Sequence, residues 1–186
     1  GLQNHGMLAT AKHFPGHGDT ETDSHSALAQ IPSDSTRLWQ LELLPFKKAI
    51  DAGVEAVMVA HVNAPDYQQH AETPATLSKF WIQEVLKGKL GFEGAVITDA
   101  MRMGGIVKNY SDKYALIETI NAGSDIIIQN MNLKRTIDIV EDAVLNGVIS
   151  EDRVNESAMK VLKMKEHLGL HLNRTISMDD THTKMG

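Results

Sequence analysis

Residues 50–60, Ile-Asp-Ala-Gly-Val-Glu-Ala-Val-Met-Val-Ala, combine the end of a helical pattern, a glycine and a nearly continuous apolar run. Gly53 can adopt the left-handed conformation that often ends a helix, and residues 55–60 have the composition of a strand buried on both faces. Residues 120–125 (INAGSD) repeat the first half of this pattern. A helix that runs into a strand at two places in one chain indicates repeated β/α units.

The other apolar runs extend this alternation along the chain. Strands are predicted at residues 7–11, 55–60, 95–98 and 125–128, and helices at residues 36–52, 79–87, 112–122, 133–146 and 151–168. The strand runs are nearly continuously apolar, which is typical of parallel strands covered by helices on both faces. The sequence therefore predicts an α/β fold with a parallel sheet, either doubly wound or of the (β/α)8 type.

The number of units limits how such a sheet can close. A (β/α)8 barrel typically has about 250 residues, and four units in a chain of 186 residues would form half of one. Residues 1–6 lack an initiator methionine and have the pattern of a helix end closing on glycine, so we expect the sequence to continue upstream. We expect one domain over residues 1–169 and a linker or disordered tail over the polar, aperiodic residues 170–186.

The amino-acid composition limits the kinds of partner that the chain can bind. The formal net charge is −6, with acids and bases interspersed along the chain, so no basic stripe is available for nucleic acid. No apolar run approaches the roughly 18 residues that a membrane span requires. The absence of cysteine excludes disulfides and cysteine-ligated zinc, and it leaves the compartment open between cytoplasm and periplasm.

Polar residues of catalytic type follow three of the four predicted strands. Lys12 and His13 follow the first strand, His61 follows the second, and Asp99 follows the third. Because the carboxyl ends of parallel strands meet at one edge of the sheet, we expect these side chains to share a pocket.

Residues 12–25 (KHFPGHGDTETDSH) hold three histidines and three acids, and three interpretations are open. His13 and His17 have the HxxxH spacing of a metal site, but Pro15 and Gly16 between them oppose a helix. Asp23 and His25 could instead form an acid/base pair, in which the carboxylate orients the imidazole and stabilises its charged form. A solvated loop without chemistry is the third interpretation, and metal binding is the weaker of the two functional ones.

The same stretch, together with residues 96–103 (VITDAMRM), closely resembles glycoside hydrolase family 3 in its β-N-acetylglucosaminidase branch. The resemblance continues through residues 57–61 (VMVAH), 74–78 (PATLS) and 122–125 (AGSD), and it covers about residues 1–169. It implies the C-terminal half of a (β/α)8 barrel. A missing N-terminal half, or a dimer partner, would then complete the barrel.

The resemblance also implies roles for the catalytic residues. Asp99 would be the nucleophile, His25 the general acid/base and Asp23 the carboxylate partner of His25. The implied activity is that of a retaining exo-glycosidase that removes terminal β-linked N-acetylglucosamine, with cell-wall fragments as the substrate class in bacteria. No cofactor or metal is expected. Because Ala100 follows Asp99, no second carboxylate is present there to orient a substrate acetamide, and direct attack by Asp99 is the better fit.

The resemblance assigns sugar-hydroxyl contacts to Lys12 and His13, and the strand-end position of His61 suggests that it also faces the substrate. Two alternatives to the main function stay open, namely a family 3 β-glucosidase or β-xylosidase and an inactive half-barrel that needs a partner chain. Phosphorolysis is a further hypothesis. A histidine that has donated its proton is neutral and repels an anionic phosphate less than a carboxylate would.

Overall fold

The computed structural model describes residues 1–18, 29–31, 35–67, 73–128 and 132–173. The described strands are β1 (Thr10–Phe14), β2 (Ala29–Gln30), β3 (Ala56–Val59), β4 (Val62–Asn63) and β5 (Ala95–Thr98). The α-helices are α1 (Ser35–Arg37), α2 (Leu44–Asp51), α3 (Gly104–Val107), α4 (Asp112–Ala122), α5 (Leu133–Leu145) and α6 (Glu151–His167). Two π-helical segments, Leu38–Glu42 and Phe80–Lys89, and two 3₁₀ turns, Leu2–His5 and Ala75–Leu77, complete the order.

The main sheet has three parallel strands in the order β1-β3-β5, each separated from the next in sequence by helical segments. An isolated parallel bridge joins Ile97 to Ile126 on the far side of β5. A second, two-stranded parallel sheet is formed by β2 with β4. The predicted α/β fold with parallel strands is therefore confirmed, and closure into half of a barrel stays a prediction.

Two predicted strands differ from the structure. The first strand lies three residues later than predicted, at Thr10–Phe14, so Lys12 and His13 belong to the strand itself. At residues 125–128 the described chain forms a single bridge instead of a strand, because backbone groups of Thr98 and Met101 bind the carbonyls of Ile126 and Ile128 in an irregular pattern. The strand predicted at residues 55–60 is shorter in the structure, at Ala56–Val59. The strand Ala95–Thr98 has the predicted bounds.

The predicted helices are found, with changes in type at two places. The helix predicted at residues 36–52 divides into α1, the π-helical segment and α2, with Pro45 in the first turn of α2, where it removes no intrahelical hydrogen bond. The helix predicted at residues 79–87 is the π-helical segment Phe80–Lys89. Gly53 and Gly123 both have positive φ angles, of 78° and 117°, and they end α2 and α4 as the repeated sequence pattern predicts.

The hydrophobic core lies between the sheet and the helices that follow its strands. Phe14 of β1 is fully buried and contacts Phe46 and Trp81 edge-on, with ring centroids 5.3 and 6.0 Å away. These contacts anchor the end of β1 on two helical segments. Within the described residues, no helix is long and apolar enough to cross a membrane.

The last helix, α6, is attached to the sheet by one buried acid. Ser150 caps α6 because its side-chain oxygen accepts a hydrogen bond from the Arg153 N–H. The Asp125 side chain is fully buried, and its carboxylate accepts hydrogen bonds from Arg153 (2.8 Å), Ser157 (2.7 Å) and Lys160 (3.1 Å) of α6. The backbone N–H of Val96 donates a further hydrogen bond of 3.0 Å from β5.

Candidate active site

A β-bulge places Lys12 and His13 at the end of β1. In the register between β1 and β3, Ala11 pairs with Val57 and Phe14 pairs with Val59, so β1 carries one extra residue between these pairs. Such a bulge changes the direction of the side chains in the bulged strand. Lys12 is exposed, and the His13 side chain is 31% exposed. The Lys12–His13 and Phe14–Pro15 peptide bonds are cis.

Asp99 follows β5 and lies beside the bulge. Its Oδ2 is 3.8 Å from Nε2 of His13, and its side chain is 19% exposed. The Asp99 backbone N–H donates to the Val59 carbonyl at 2.9 Å, which extends the pairing with β3 by one residue. The Ala100 N–H donates to Oδ1 of Asp99 at 2.7 Å. The two strand ends thus bring a partly accessible carboxylate next to an imidazole, as the sequence predicts.

His61 is fully buried behind Asp99. Its Nε2 is 3.0 Å from the Ala100 carbonyl oxygen, and its Nδ1 is 2.8 Å from the hydroxyl of Thr76. Both ring nitrogens are therefore occupied by protein atoms. The substrate contact expected for His61 stays a prediction, but in this arrangement the ring reaches the site through Ala100.

A cavity of about 330 Å³ adjoins the bulge, and it contains a carboxylate that the sequence analysis did not single out. Glu42 is 9% exposed, and its Oε2 packs against Gly16, where a Cβ atom would be only 2.5 Å away. Gly16 has φ +144° and lies in the loop that follows β1. Lys12, His13 and His17 also line the cavity. Because Glu42 is one of several polar residues in an amphipathic helical pattern, only its burial identifies it.

The predicted acid/base pair, Asp23 with His25, lies outside the described residues. The His17 ring lies near the site, 6.1 Å from the His13 ring in an edge-on arrangement. Within the part of the chain that the structure describes, no group of three or more His, Asp or Glu side chains has the geometry of a metal site.

Burial controls the protonation of both site histidines. The pKa of His61 is lowered chiefly because burial disfavours the charged ring, although the Ala100 carbonyl and the Asp99 charge act in the opposite direction. The pKa of His13 is also lowered, first by burial and then by the nearby Lys12 and His17, whereas Asp99 raises it. Both rings are therefore neutral near pH 7.

We expect acidification to destabilise the wild-type protein more than a His61→Gln variant. The pKa of His61 is lower in the folded protein than the usual value of about 6.5, so the unfolded chain binds more protons once the pH falls through that value. Stability is then lost as the pH falls below about 6.5, and the loss continues until the pH passes the lower pKa of the folded protein. Urea unfolding at a series of pH values measures this difference.

The matched control is His5→Gln, which removes a histidine from an exposed position. Its stability profile should follow that of the wild-type protein over the same pH range. Parallel profiles for wild type and His61→Gln would contradict the prediction.

Comparisons with known proteins identify the family to which this chain belongs. Residues 1–164 match the model of the glycosyl hydrolase family 3 N terminal domain. The chain is 32% identical to beta-hexosaminidase A of Pseudoalteromonas piscicida, over 88% of this chain and 30% of that protein. It is 31% identical to a beta-N-acetylglucosaminidase/beta-glucosidase of Cellulomonas fimi, over 91% of this chain and 32% of that protein.

A solved structure agrees with both relatives. The chain superimposes on a glycoside hydrolase family 3 beta-N-acetylglucosaminidase from Paenibacillus sp. str. FPU-7 with a TM-score of 0.87 and 40% identity, over 95% of this chain and 34% of that one. The chain thus spans about a third of the length of these relatives. Its match to the family model and its similarity to these proteins show that the chain belongs to glycoside hydrolase family 3.

Proposed function

We propose that this chain carries the catalytic side chains of a retaining exo-glycosidase that hydrolyses terminal β-linked N-acetylglucosamine. The observation that carries the proposal is the position of Asp99, a partly accessible carboxylate at the end of β5 that faces His13 of β1 at 3.8 Å. Relatives named beta-hexosaminidase and beta-N-acetylglucosaminidase support the substrate class.

In the proposed first step, an Asp99 carboxylate oxygen attacks the anomeric carbon of the terminal sugar. The bond between that carbon and the leaving oxygen breaks, and His25 gives its proton to the leaving oxygen. Asp23 orients the His25 ring and stabilises its charged form before this transfer. The product is a sugar joined to Asp99 through an ester bond.

In the second step, neutral His25 removes a proton from water, and the water oxygen attacks the anomeric carbon. The ester bond to Asp99 breaks, and the sugar leaves with its original anomeric configuration. Lys12 and His13 bind sugar hydroxyls beside the reacting carbon in both steps. The exposure of Lys12 and the partial exposure of His13 support these roles.

The remaining units of the proposed barrel would complete this site. The described sheet order β1-β3-β5, with Ile126 at the position after β5, agrees with consecutive units of a (β/α)8 barrel. The remaining units would come from sequence outside this chain or from a partner chain. An inactive half-barrel is the alternative when that second half is absent.

A β-glucosidase is the second candidate, because the name of the Cellulomonas fimi relative includes both activities. A panel of 4-nitrophenyl glycosides separates the two candidates. We expect faster release of nitrophenol from the N-acetyl-β-glucosaminide than from the β-glucoside. The opposite order would favour the β-glucosidase. Addition of phosphate, with assay of sugar 1-phosphate, tests phosphorolysis in the same experiment.

Covalent trapping tests the proposed mechanism. A 5-fluoro derivative of N-acetylglucosamine with a good leaving group should inactivate the protein, because the fluorine slows both steps while the leaving group keeps formation of the glycosyl-enzyme faster than its hydrolysis. Peptide mapping by mass spectrometry should find one added sugar on the peptide that contains Asp99. Attachment to any other residue would overturn the assignment of the nucleophile.

A further inference from the structure

We propose that His61 is a positioning residue that holds the Asp99 carboxylate in place through the backbone of Ala100. The inference rests on the nucleophile role proposed for Asp99 above. It replaces the direct contact between His61 and the sugar that the sequence suggests with an indirect role.

Two hydrogen bonds link His61 to Asp99 through a single residue. His61 Nε2 donates to the Ala100 carbonyl oxygen at 3.0 Å, and the Ala100 N–H donates to Asp99 Oδ1 at 2.7 Å. Ala100 therefore cannot turn without changing both contacts. Since Asp99 makes the second contact with its reacting group, the orientation of the carboxylate depends on the His61 ring.

The Ala100 carbonyl fixes the tautomer of His61, and Thr76 contacts the other ring nitrogen. A carbonyl oxygen only accepts hydrogen bonds, so Nε2 of His61 must carry a proton to bind Ala100. In the neutral ring Nδ1 is then an acceptor, and the Thr76 hydroxyl lies 2.8 Å from it. Thr76 is itself fully buried, so it has no access to solvent as an alternative partner.

The Thr76 hydroxyl oxygen also lies close to the end of β3, and its single proton can be donated either to His61 Nδ1 or to a carbonyl of β3, not to both. This oxygen is 2.8 Å from the Ala60 carbonyl oxygen and 3.4 Å from that of Val59. Val59 in turn accepts the backbone N–H of Asp99. The segment around Thr76, the end of β3 and the residue after β5 thus lie side by side behind the reacting carboxylate.

The burial of His61 separates a positioning role from direct substrate binding. The ring is 0% exposed, and both of its nitrogens already have protein partners. A sugar hydroxyl could reach neither nitrogen without displacing Thr76 or Ala100. Loss of the ring should therefore affect the rate of attack by Asp99 more than the binding of substrate.

The test uses four variants of the full protein and two substrates. His61→Leu removes both ring contacts, whereas His61→Gln keeps an amide N–H at the position of Nε2. Thr76→Val removes the hydroxyl and preserves the shape of the side chain, and Thr76→Ser is its matched control. The 4-nitrophenyl and 2,4-dinitrophenyl N-acetyl-β-glucosaminides differ in how much they need acid assistance.

We expect His61→Leu to lower kcat about 100-fold, the loss typical of a misplacement of about 1 Å in a reacting group, with KM changed less than about threefold. His61→Gln should recover most of this loss. Thr76→Val should lower kcat about tenfold, a loss of about 1.4 kcal/mol in transition-state stabilisation, and Thr76→Ser should behave as wild type. The loss in His61→Leu should persist with the dinitrophenyl substrate, because a misplaced nucleophile is not compensated by a better leaving group.

Three results would overturn the proposal in variants that unfold at the wild-type temperature. The first is a rise in KM without a fall in kcat in His61→Leu. The second is an equal loss of kcat in His61→Gln and His61→Leu. The third is a kcat of His61→Leu that returns to the wild-type value with the dinitrophenyl substrate. If His61→Leu does not fold, the comparison of Thr76→Val with Thr76→Ser decides the question. Trapping with the 5-fluoro sugar on wild type reports separately on Asp99, so failure of the nucleophile assignment is distinguishable from failure of the positioning role.

Discussion

Replacing Asp99 with alanine should reduce turnover by about 10⁴- to 10⁶-fold, the range found when catalytic triad residues such as a nucleophile are removed. The proposed mechanism has no other group that can form the covalent intermediate. The fold should survive, because the Asp99 side chain is partly exposed and accepts its hydrogen bond from the backbone N–H of the neighbouring Ala100. Rates with the 4-nitrophenyl substrate and thermal unfolding of the same samples measure both effects.

The matched control is Asp66→Ala, which removes an exposed carboxylate and should leave turnover unchanged. Sodium azide then identifies the role of Asp99 by stereochemistry. In Asp99→Ala, azide can occupy the vacated space and attack the anomeric carbon from the α face, giving an α-glycosyl azide. In His25→Ala, azide would attack the glycosyl-enzyme and give the β-glycosyl azide. A β product from Asp99→Ala, or residual activity within about tenfold of wild type, would contradict the nucleophile role.

The sequence predicts helices and central strands well where local pattern and burial agree. The strand Ala95–Thr98 and the helix Asp112–Ala122 have the predicted bounds, because apolar composition, an N-cap at Ser111 and the glycine after Ala122 all indicate the same structure. The first strand was predicted three residues too early. Its position is determined by pairing with β3 and by the bulge at residues 12–13, which is a long-range property of the sheet.

The residues of the candidate site were likewise predictable only in part from the sequence. The positions of His13 and Asp99 follow from strand ends, and the structure brings them together. Glu42 belongs to a segment with the local pattern of an ordinary helix, and Thr76 belongs to the PATLS stretch of the resemblance, in which nothing singles out its hydroxyl. Their importance comes from burial against residues that are distant in sequence, such as Gly16 and His61.

Replacing Asp125 with alanine should lower the free energy of unfolding by about 3–5 kcal/mol, the cost of breaking a buried ion pair by removing one partner. The Arg153 and Lys160 side chains, 11% and 19% exposed, would lose their acidic partner, and the backbone N–H of Val96 would lose its acceptor. Burial by itself would raise the pKa of Asp125, but the hydrogen bonds from Val96, Arg153 and Ser157 hold it below the usual value. The carboxylate is therefore charged at neutral pH.

Urea unfolding at pH 7 measures the effect of this change, and the equivalent shift in the unfolding temperature is about 6–20 °C for a domain of this size. Asp125→Asn should fall between wild type and alanine, because the amide oxygen can still accept the Val96 N–H while the charge is lost. The control is Asp138→Ala, which breaks the exposed pair between Lys134 and Asp138 on α5 and should cost only about 0.3–0.5 kcal/mol. Similar losses for Asp125→Ala and Asp138→Ala would show that the buried carboxylate does not hold α6 on the sheet.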